Sequence, residues 1–281
     1  MKIGVCIRAK DEQKLICDWV SHYLRLGFDR IVIYDNLSSP SVSTTLGKAG
    51  LLRDEVFVKI DEVLTSNQSA VYQECIDQNK DLDWLLLCDA DEFLWLKPIS
   101  GNFTIKDILA CLPDDCCTLL INWLVYGTGG LQTYDASKSV FEQFIMRERY
   151  NHFWNRFVKS FVRPRLIHEI GNVHITLNPE YKVYSVNKHV IEDGNDLFRA
   201  NRDRCDVVDN TLSDNTPCVL VHYMTLDYES MRSKCIRNHA GGLLTKPCND
   251  NPKYSLEWYN SVDVQGFQDN VVDRRMQFYQ Q

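Results

Sequence analysis

Apolar and polar positions along the first hundred residues predict strands and helices in strict alternation. Residues 2–8 form a short β-rich run, and from Gln13 apolar side chains recur at helical spacing until Gly27 closes the helix. Residues 31–34 then predict a second strand. The chain therefore opens with a strand–helix–strand unit, for which a right-handed crossover is expected.

The same alternation continues as far as residue 100. Residues 41–52 predict a short helix, 55–60 a third strand, 69–79 a second long helix and 84–87 a fourth strand. Strands that alternate with helices favour parallel pairing. The predicted fold class is α/β, with a Rossmann-like, mixed and mainly parallel central sheet flanked by helices.

After residue 100 the pattern is less regular. A helix is predicted over 105–112, a strongly apolar strand over 117–124, short β-like runs over 173–177 and 182–186, a strand over 218–224 and a helix over 228–238. A glycine-rich turn, 126–130, follows the apolar strand. The tail from 250 to 281 is polar and aromatic and predicts no structure.

Three carboxylates follow the fourth predicted strand within four residues: Asp89, Asp91 and Glu92. Such groups repel one another and lose hydration unless they are neutralised, and a hard divalent cation does this economically. Asp-x-Asp sends both carboxylates to one side of an extended chain, at the edge where an open α/β sheet holds its ligand. The sequence therefore predicts a metal site. Asp91 is the first candidate for a direct metal ligand. Asp89 is a second ligand or a contact to ribose or to a metal-bound water, and Glu92 is a residue that supports the ligands.

Other polar residues follow predicted strands and carry two interpretations each. Asp35 follows the second strand, where α/β domains hold a ribose or base, or else forms an Asp-Asn turn. His222 lies at the end of the 218–224 strand, as a third metal ligand or as a packed or capping histidine. Gly127 lies in a turn that borders a sugar or diphosphate, or simply connects two elements. The turn is not a P-loop, because no helix that begins with Lys-Ser/Thr follows it.

Basic residues interleave with aromatic ones between 147 and 165, and include Lys159 and Arg163. Cations facing a pyrophosphate, a solvated face and single-stranded nucleic acid are the three interpretations. A net charge of −7 argues against a protein that mainly coats nucleic acid. Arg8, in the polar cluster after the first strand, is a further candidate contact to the donor.

Composition bounds the class of protein. The 281 residues suffice for one large domain, or for a domain with a smaller appendage. The N-terminus meets charge too early for a signal peptide, and no apolar run approaches the roughly 18 residues of a membrane span. The 11 cysteines are odd in number, several lie in apolar runs and no CxxC pair occurs, so reduced and mostly buried thiols are predicted. The sequence predicts a soluble, cytoplasmic protein.

Taken together, these stretches resemble glycosyltransferases of the GT-A fold, in particular family 92 and the related family 2-like proteins once catalogued as a domain of unknown function. The matching stretches occur in family order over residues 1–235, and the set as a whole is specific. The matching residues are Lys10-Asp11-Glu12, Trp19, His22 to Gly27, Ile33 to Ser38, Trp84, Asp89 to Leu94, Asn122-Trp123, Tyr126-Gly127, Lys159 to Pro164, His222-Tyr223, Ser230 and Lys234.

The resemblance implies a nucleotide-sugar donor, most readily a UDP-sugar, a divalent cation (Mn²⁺, or Mg²⁺), a glycan or glycoprotein acceptor, and inversion at the anomeric carbon. It implies one GT-A domain, with a nucleotide-sugar-binding half over 1–100, an acceptor-binding half over 101–240 and a C-terminal extension over 241–281. Short relatives also occur in large DNA viruses, so it allows a viral origin.

The resemblance also assigns roles to residues. Asp89 and Asp91 match the DxD motif, His222 the histidine that completes the metal site and Asp35 the nucleoside contact, and Lys234 lies in a matching stretch as a further donor contact.

An inverting transferase also needs a carboxylate base for the acceptor hydroxyl. Asp193, ahead of Glu192, is the candidate, and an Asp-Gly turn is the alternative. Trp123 is the candidate platform for an acceptor sugar, or else a core tryptophan. Two other functions stay open: a sugar nucleotidyltransferase, and a catalytically inactive module that binds nucleotide-sugars or glycans.

Overall fold

The structure is a computed structural model, and it describes residues 1–61, 68–97, 103–170, 180–186, 190–191 and 212–230. Its strands and helices, in chain order, are β1 (Ile3–Ala9), α1 (Ile16–Arg25), β2 (Arg30–Asp35), α2 (Val42–Lys48), β3 (Val56–Ile60), α3 (Gln68–Gln78), β4 (Trp84–Leu87), β5 (Glu92–Leu96), α4 (Ile105–Ala110), β6 (Cys116–Tyr126), α5 (Val140–Gln143), β7 (Val158–Val162), β8 (Lys182–Ser185), β9 (Val190–Ile191) and β10 (Cys218–Tyr223). Two 3-10 turns, Phe153–Arg156 and Pro164–Leu166, flank β7.

All the described strands belong to one sheet. Its order is β3-β2-β1-β4-β7-β6-β10-β5, and β8 pairs with the first half of β6 and then with β9. The pairs β1–β2, β2–β3, β1–β4, β6–β8 and β6–β10 are parallel, whereas β7 is antiparallel to both of its neighbours and β5 is antiparallel to β10. The predicted α/β class, with a mixed and mainly parallel central sheet, is therefore confirmed.

The apolar runs in the sequence fill both faces of this sheet. Every residue of β4 and β6 is buried, as expected of strands covered on both faces. One core cluster packs against α1 and α4, and a second packs against α3. The cysteines among the described residues are free thiols and most are buried, which agrees with the predicted reduced state.

Helix α1 is the element that holds β5, whose first residue, Glu92, is the last residue of the acidic segment 89–92. The indole nitrogen of Trp19 and the hydroxyl of Tyr23 both donate to the backbone oxygen of Glu92, at 3.0 and 3.2 Å. The Nε2 atom of His22 lies 2.7 Å from the backbone oxygen of Leu94. Three side chains from one face of α1 thus bind two backbone oxygens of β5, those of Glu92 and Leu94.

Several elements differ from the sequence prediction. Helix α2 ends at Lys48 rather than at residue 52, because Gly50 adopts a positive φ of 67° that terminates the helix. Strands β5, β7 and β9 and helix α5 were not predicted. The predicted strand over 173–177, most of the helix over 228–238 and the C-terminal extension lie outside the described residues. In the part of the chain that is described, no helix has the length and apolar character needed to cross a bilayer.

Candidate functional site

The acidic segment, residues 89–92, connects the end of β4 to the start of β5. Strand β4 ends at Leu87, β5 begins at Glu92, and β10 runs antiparallel beside β5 so that His222 is directly opposite Glu92. The backbone nitrogen of Tyr223 donates to the backbone oxygen of Asp91 at 2.9 Å. This pairing brings the Nε2 atom of His222 to 3.6 Å from Oδ1 of Asp91.

Asp89 is held through both carboxylate oxygens. Its Oδ2 accepts from the ammonium of Lys159 at 2.6 Å, and its Oδ1 accepts from the side-chain amide of Gln68 at 2.7 Å. The Lys159 side chain is only 1% exposed, whereas that of Asp89 is 35% exposed. Lys159 was predicted to face a diphosphate. The structure places it at this edge of the sheet with its charge directed at Asp89, and the diphosphate contact stays a prediction.

The charged groups in this cluster shift one another's pKa values. Burial favours the neutral form of Asp89, but the Lys159 ammonium outweighs it and holds the pKa of Asp89 below its usual value. Burial likewise opposes the charge on Lys159, yet the two carboxylates beside it raise the pKa of that lysine.

Glu92 has a different environment within the same cluster. Its Oε2 accepts from the backbone nitrogen of Asp89 at 2.8 Å, while its Oε1 is buried without a hydrogen-bond partner among the described residues. Burial raises the pKa of Glu92 to about 7; Lys159 opposes the rise and the charge of Asp89 adds to it. Glu92 thus contacts Asp89 from inside the protein, and its supporting role at a metal site stays a prediction.

Asp91 and His222 together have the chemistry of a metal-binding pair. A carboxylate oxygen and an imidazole nitrogen are ligands that first-row divalent ions accept, and two ligands on one such ion lie about 3 Å apart. The Nδ1 atom of His222 is buried and has no hydrogen-bond partner among the described residues. In the described ranges no group of three or more His, Cys, Asp or Glu side chains is close enough to hold a metal ion. The metal site therefore stays a prediction, with Asp91 and His222 as a fitting pair.

Arg8 and Asp35 lie at the same edge of the sheet but make contacts within the protein. Asp35 accepts from the backbone nitrogens of Ser38 and Val42, both at 2.9 Å, which closes the turn and starts α2. The Nε atom of Arg8 lies 2.6 Å from Oδ2 of Asp61 in a buried ion pair. Their predicted contacts to a nucleoside or diphosphate remain predictions.

The predicted acceptor residues lie close to His222. The ring of Trp123 is buried, stacks on Phe157 with centroids 5.1 Å apart, and meets the imidazole of His222 edge-on at 4.3 Å. Gly127, at the end of β6, donates its backbone nitrogen to Met146 at 3.0 Å. Trp123 therefore packs as a core tryptophan, and its contact with an acceptor sugar stays a prediction.

Arg163 is not brought to the acidic cluster. Because β7 runs antiparallel to β4, its C-terminal end lies beside the amino-terminal end of β4, the edge opposite Asp89. The Arg163 guanidinium lies 4.8 Å from the Trp84 ring centroid and 3.3 Å from the backbone oxygen of Pro113. Its predicted place beside the donor does not agree with this position. Glu192, Asp193 and Lys234 lie outside the described residues.

Sequence reasoning missed Gln68 altogether. Gln68 is the first residue of α3, where the helix points its amino end at the segment after β4, and its amide also lies 2.8 Å from the hydroxyl of Tyr72. An amide at the start of a helix carries no periodic signal. Only the position of α3 against the end of β4 identifies it.

A comparison with protein families identifies the class. The model of glycosyltransferase family 92 matches residues 1–237, so the chain belongs to that family. Among curated proteins, a family 92 glycosyltransferase from Oryza sativa subsp. japonica is 25% identical over 105 residues, which are 37% of this chain and 18% of the rice protein. The chain thus spans less than a fifth of the length of this relative.

Solved structures also match parts of the chain, at lower sequence identity. Residues 1–349 of TarS from S. aureus match with a TM-score of 0.38 and 17% identity, over 59% of this chain and 48% of that one. HddC from Yersinia pseudotuberculosis matches with a TM-score of 0.40 and 9% identity, over 71% of this chain and 98% of that one.

Proposed function

We propose that this chain is a metal-dependent, inverting glycosyltransferase that moves a sugar from a nucleoside diphosphate, with UDP-sugars as first candidates, to a hydroxyl of a glycan or glycoprotein. The observation that carries the proposal is the convergence of Asp91 and His222, with atoms 3.6 Å apart, in a member of family 92. Both lie at the edge of the sheet where open α/β folds hold ligands.

Within this proposal the described residues bind and position the donor. Asp91 and His222 would hold the cation, with Asp89 as a further ligand or as a contact to ribose. When bound, the cation neutralises negative charge that develops on the leaving diphosphate. Lys159 and Gln68 fix Asp89, and the adjacent Arg8 and Asp35 order the neighbouring strand ends.

The acceptor hydroxyl needs a base on the opposite side of the sugar from the diphosphate. Glu92 is fully buried and does not present its carboxylate to an acceptor. Asp193, and after it Glu192, therefore remain the proposed base.

The direct test is release of UDP from a panel of UDP-sugars by the purified chain with and without Mn²⁺. We expect Mn²⁺-dependent turnover that a chelator abolishes, and a loss of at least about 100-fold in Asp91→Ala, the order of magnitude for removing one electrostatic stabiliser of the transition state. Asp54→Ala, at an exposed turn position, is the matched control and should retain activity. Full activity in both chelator and Asp91→Ala would refute the metal-dependent mechanism.

The two other functions predict different products. A sugar nucleotidyltransferase would consume a nucleoside triphosphate and a sugar phosphate and release pyrophosphate. An inactive binding module would bind UDP in calorimetry without turnover on any acceptor. The same preparation distinguishes all three.

A further inference from the structure

Helix α3 begins with a side-chain amide that donates two hydrogen bonds. Gln68 is the first residue of α3 and is half-buried. Its Nε2 atom donates to Oδ1 of Asp89 at 2.7 Å and to the hydroxyl oxygen of Tyr72 at 2.8 Å. Because a side-chain amide nitrogen carries two hydrogens, these two contacts use both of them.

The two acceptors determine which way round the amide lies. The Tyr72 hydroxyl is buried and lies 2.5 Å from the backbone oxygen of Cys88, to which it donates its single hydrogen; Oδ1 of Asp89 is farther from it, at 3.5 Å. The Asp89 carboxylate contacts the Lys159 ammonium at 2.6 Å and, in its ionised form, only accepts hydrogen bonds. A reversed amide would turn its oxygen towards two atoms that offer it no hydrogen, so Gln68 is held with its nitrogen inward.

This orientation leaves an acceptor at a fixed place beside Asp89. With Nε2 turned towards Asp89 and Tyr72, the carbonyl oxygen Oε1 of Gln68 points away from both and makes no hydrogen bond in the described part of the chain. The Asp89 side chain is 35% exposed, and each of its oxygens accepts more than one hydrogen bond. Two neighbouring acceptors suit a ligand with two adjacent hydroxyl groups, which is a vicinal diol.

The position of these acceptors along the edge of the sheet favours one particular diol. Asp35 ends β2, Asp89 follows β4, and β1 lies between the two strands. In the proposed function, Asp35 contacts the nucleoside and the segment after Asp89 faces the diphosphate. The group that joins the base of a nucleotide to its phosphates is the ribose, whose 2′- and 3′-hydroxyls are a vicinal diol.

We propose that Gln68 is a specificity residue for the ribose of the donor, with its Oε1 accepting from one ribose hydroxyl while Asp89 accepts from the other. This inference rests on the proposed function for its nucleotide, but it requires neither a particular transferred sugar nor a particular set of metal ligands. A deoxynucleotide leaves one of the two acceptors without its donor, so the pair selects ribonucleotides.

The test compares UDP, 2′-deoxy-UDP and 3′-deoxy-UDP by calorimetry in excess Mn²⁺. Wild type should bind UDP at least about fivefold more tightly than either analogue, which corresponds to one net hydrogen bond. Gln68→Met, of similar length but without the amide oxygen, should reduce the preference at one ribose position to about twofold or less and keep the preference at the other. Purely structural damage would weaken the binding of all three nucleotides alike and leave both ratios unchanged.

Gln78→Met is the matched control. Gln78 is an exposed residue at the other end of α3, where it contacts Lys59 and Glu74, and its replacement should keep both preferences of wild type. Equal binding of the three nucleotides by wild type overturns the inference even if Gln68→Met does not fold. A folded Gln68→Met variant that keeps both preferences also overturns it.

Failure of the proposed function appears separately, as turnover that survives chelation and Asp91→Ala. Loss of the inference alone appears as UDP binding that does not distinguish the deoxy analogues, beside turnover that still depends on Mn²⁺. Wild type that does not bind UDP at all overturns the inference together with the choice of UDP-sugars as donors.

Discussion

His22 is a histidine that the fold keeps uncharged. Its ring is buried against the rings of Tyr23, Phe93, Trp95 and Phe141, and its Nε2–H donates to the backbone oxygen of Leu94 at 2.7 Å. Burial lowers the pKa of His22 from 6.5 to about 3. Below pH 6.5 the unfolded chain therefore binds a proton here that the folded chain does not.

This difference predicts a contribution to acid sensitivity. Above pH 6.5 His22 makes no pH-dependent contribution to stability. As the pH falls from 6.5 towards about 3, His22 should lower the free energy of unfolding by about 1.4 kcal/mol per pH unit. Urea unfolding at several pH values between 7 and 4.5 should show a shallower fall in His22→Gln than in wild type. Ser43→Ala, at an exposed position of α2 without a titratable group, is the control and should follow wild type. Coincident curves for His22→Gln and wild type would contradict the prediction.

The sequence predicts which polar residues lie near strand ends, but it does not predict which of them are buried. Asp91 follows one apolar run and His222 lies near the end of another. Strands β4 and β10 run in the same direction, so the two positions reach one edge, as the sequence predicted, while their metal-binding role stays a prediction. The sequence predicted Lys159 as a cation near the site but did not predict its burial, because lysine side chains are usually exposed to solvent. Arg163 was misplaced for a related reason: without the direction of β7, nothing shows which edge each end of it reaches.

At the scale of elements, one ion pair braces three strand ends. Arg8 belongs to β1 and Asp61 follows β3, and these strands are separated in the sheet by β2. The side-chain amide of Asn36, which follows β2, also donates to Oδ2 of Asp61, at 3.2 Å. The three parallel strands are therefore held in register where the proposed donor would bind.

Removal of one member of this brace should be costly. Arg8→Met removes the cation that pairs with the buried carboxylate of Asp61 and is expected to destabilise the protein by about 3–5 kcal/mol. Arg30→Met, which breaks a more exposed pair with Asp81 at 2.8 Å, should cost about 1 kcal/mol or less. Chemical unfolding measures both, and similar costs for the two variants would show that the Arg8 pair is not a structural brace.

Two of the strands that the sequence pattern does not predict, β5 and β7, contain buried polar residues. Strand β7 carries Lys159 and Ser160 and β5 starts with Glu92, yet all three residues are fully buried. A polar residue in a buried strand interrupts the apolar run that identifies such strands. In the first four strands the charged residues inside the bounds, Arg8 and Lys59, are each next to the last residue, so the apolar runs before them remain recognisable, and these strands were predicted within one or two residues of their ends.

At the scale of the whole molecule, the described part of the sheet has a centre that is paired on both sides and an edge strand, β3. Among the described strands β3 pairs only with β2, and it carries Phe57 and Ile60 with 46% and 73% of their surfaces exposed. Strand β1, by contrast, is paired on both sides and wholly buried. Backbone protection should therefore fall from the centre of the sheet towards β3.

Hydrogen–deuterium exchange read by mass spectrometry tests this gradient. Peptides that contain residues 56–60 should exchange faster than those that contain 3–9 or 84–87, because an edge strand opens without breaking the centre. Equal protection of all three would show that the side of β3 is covered, by another part of this chain or by a second copy.

Strand β10 lies between β5 and β6, both of which precede it in the chain. During synthesis on a ribosome, β5 and β6 emerge first, each with an edge to which nothing described is yet paired. Such edges are sites for association with other chains, so the interval before residue 218 emerges is when a nascent chain is most exposed to misassembly. His222 arrives with the same strand, so a released fragment that ends before it would lack the Asp91–His222 pair.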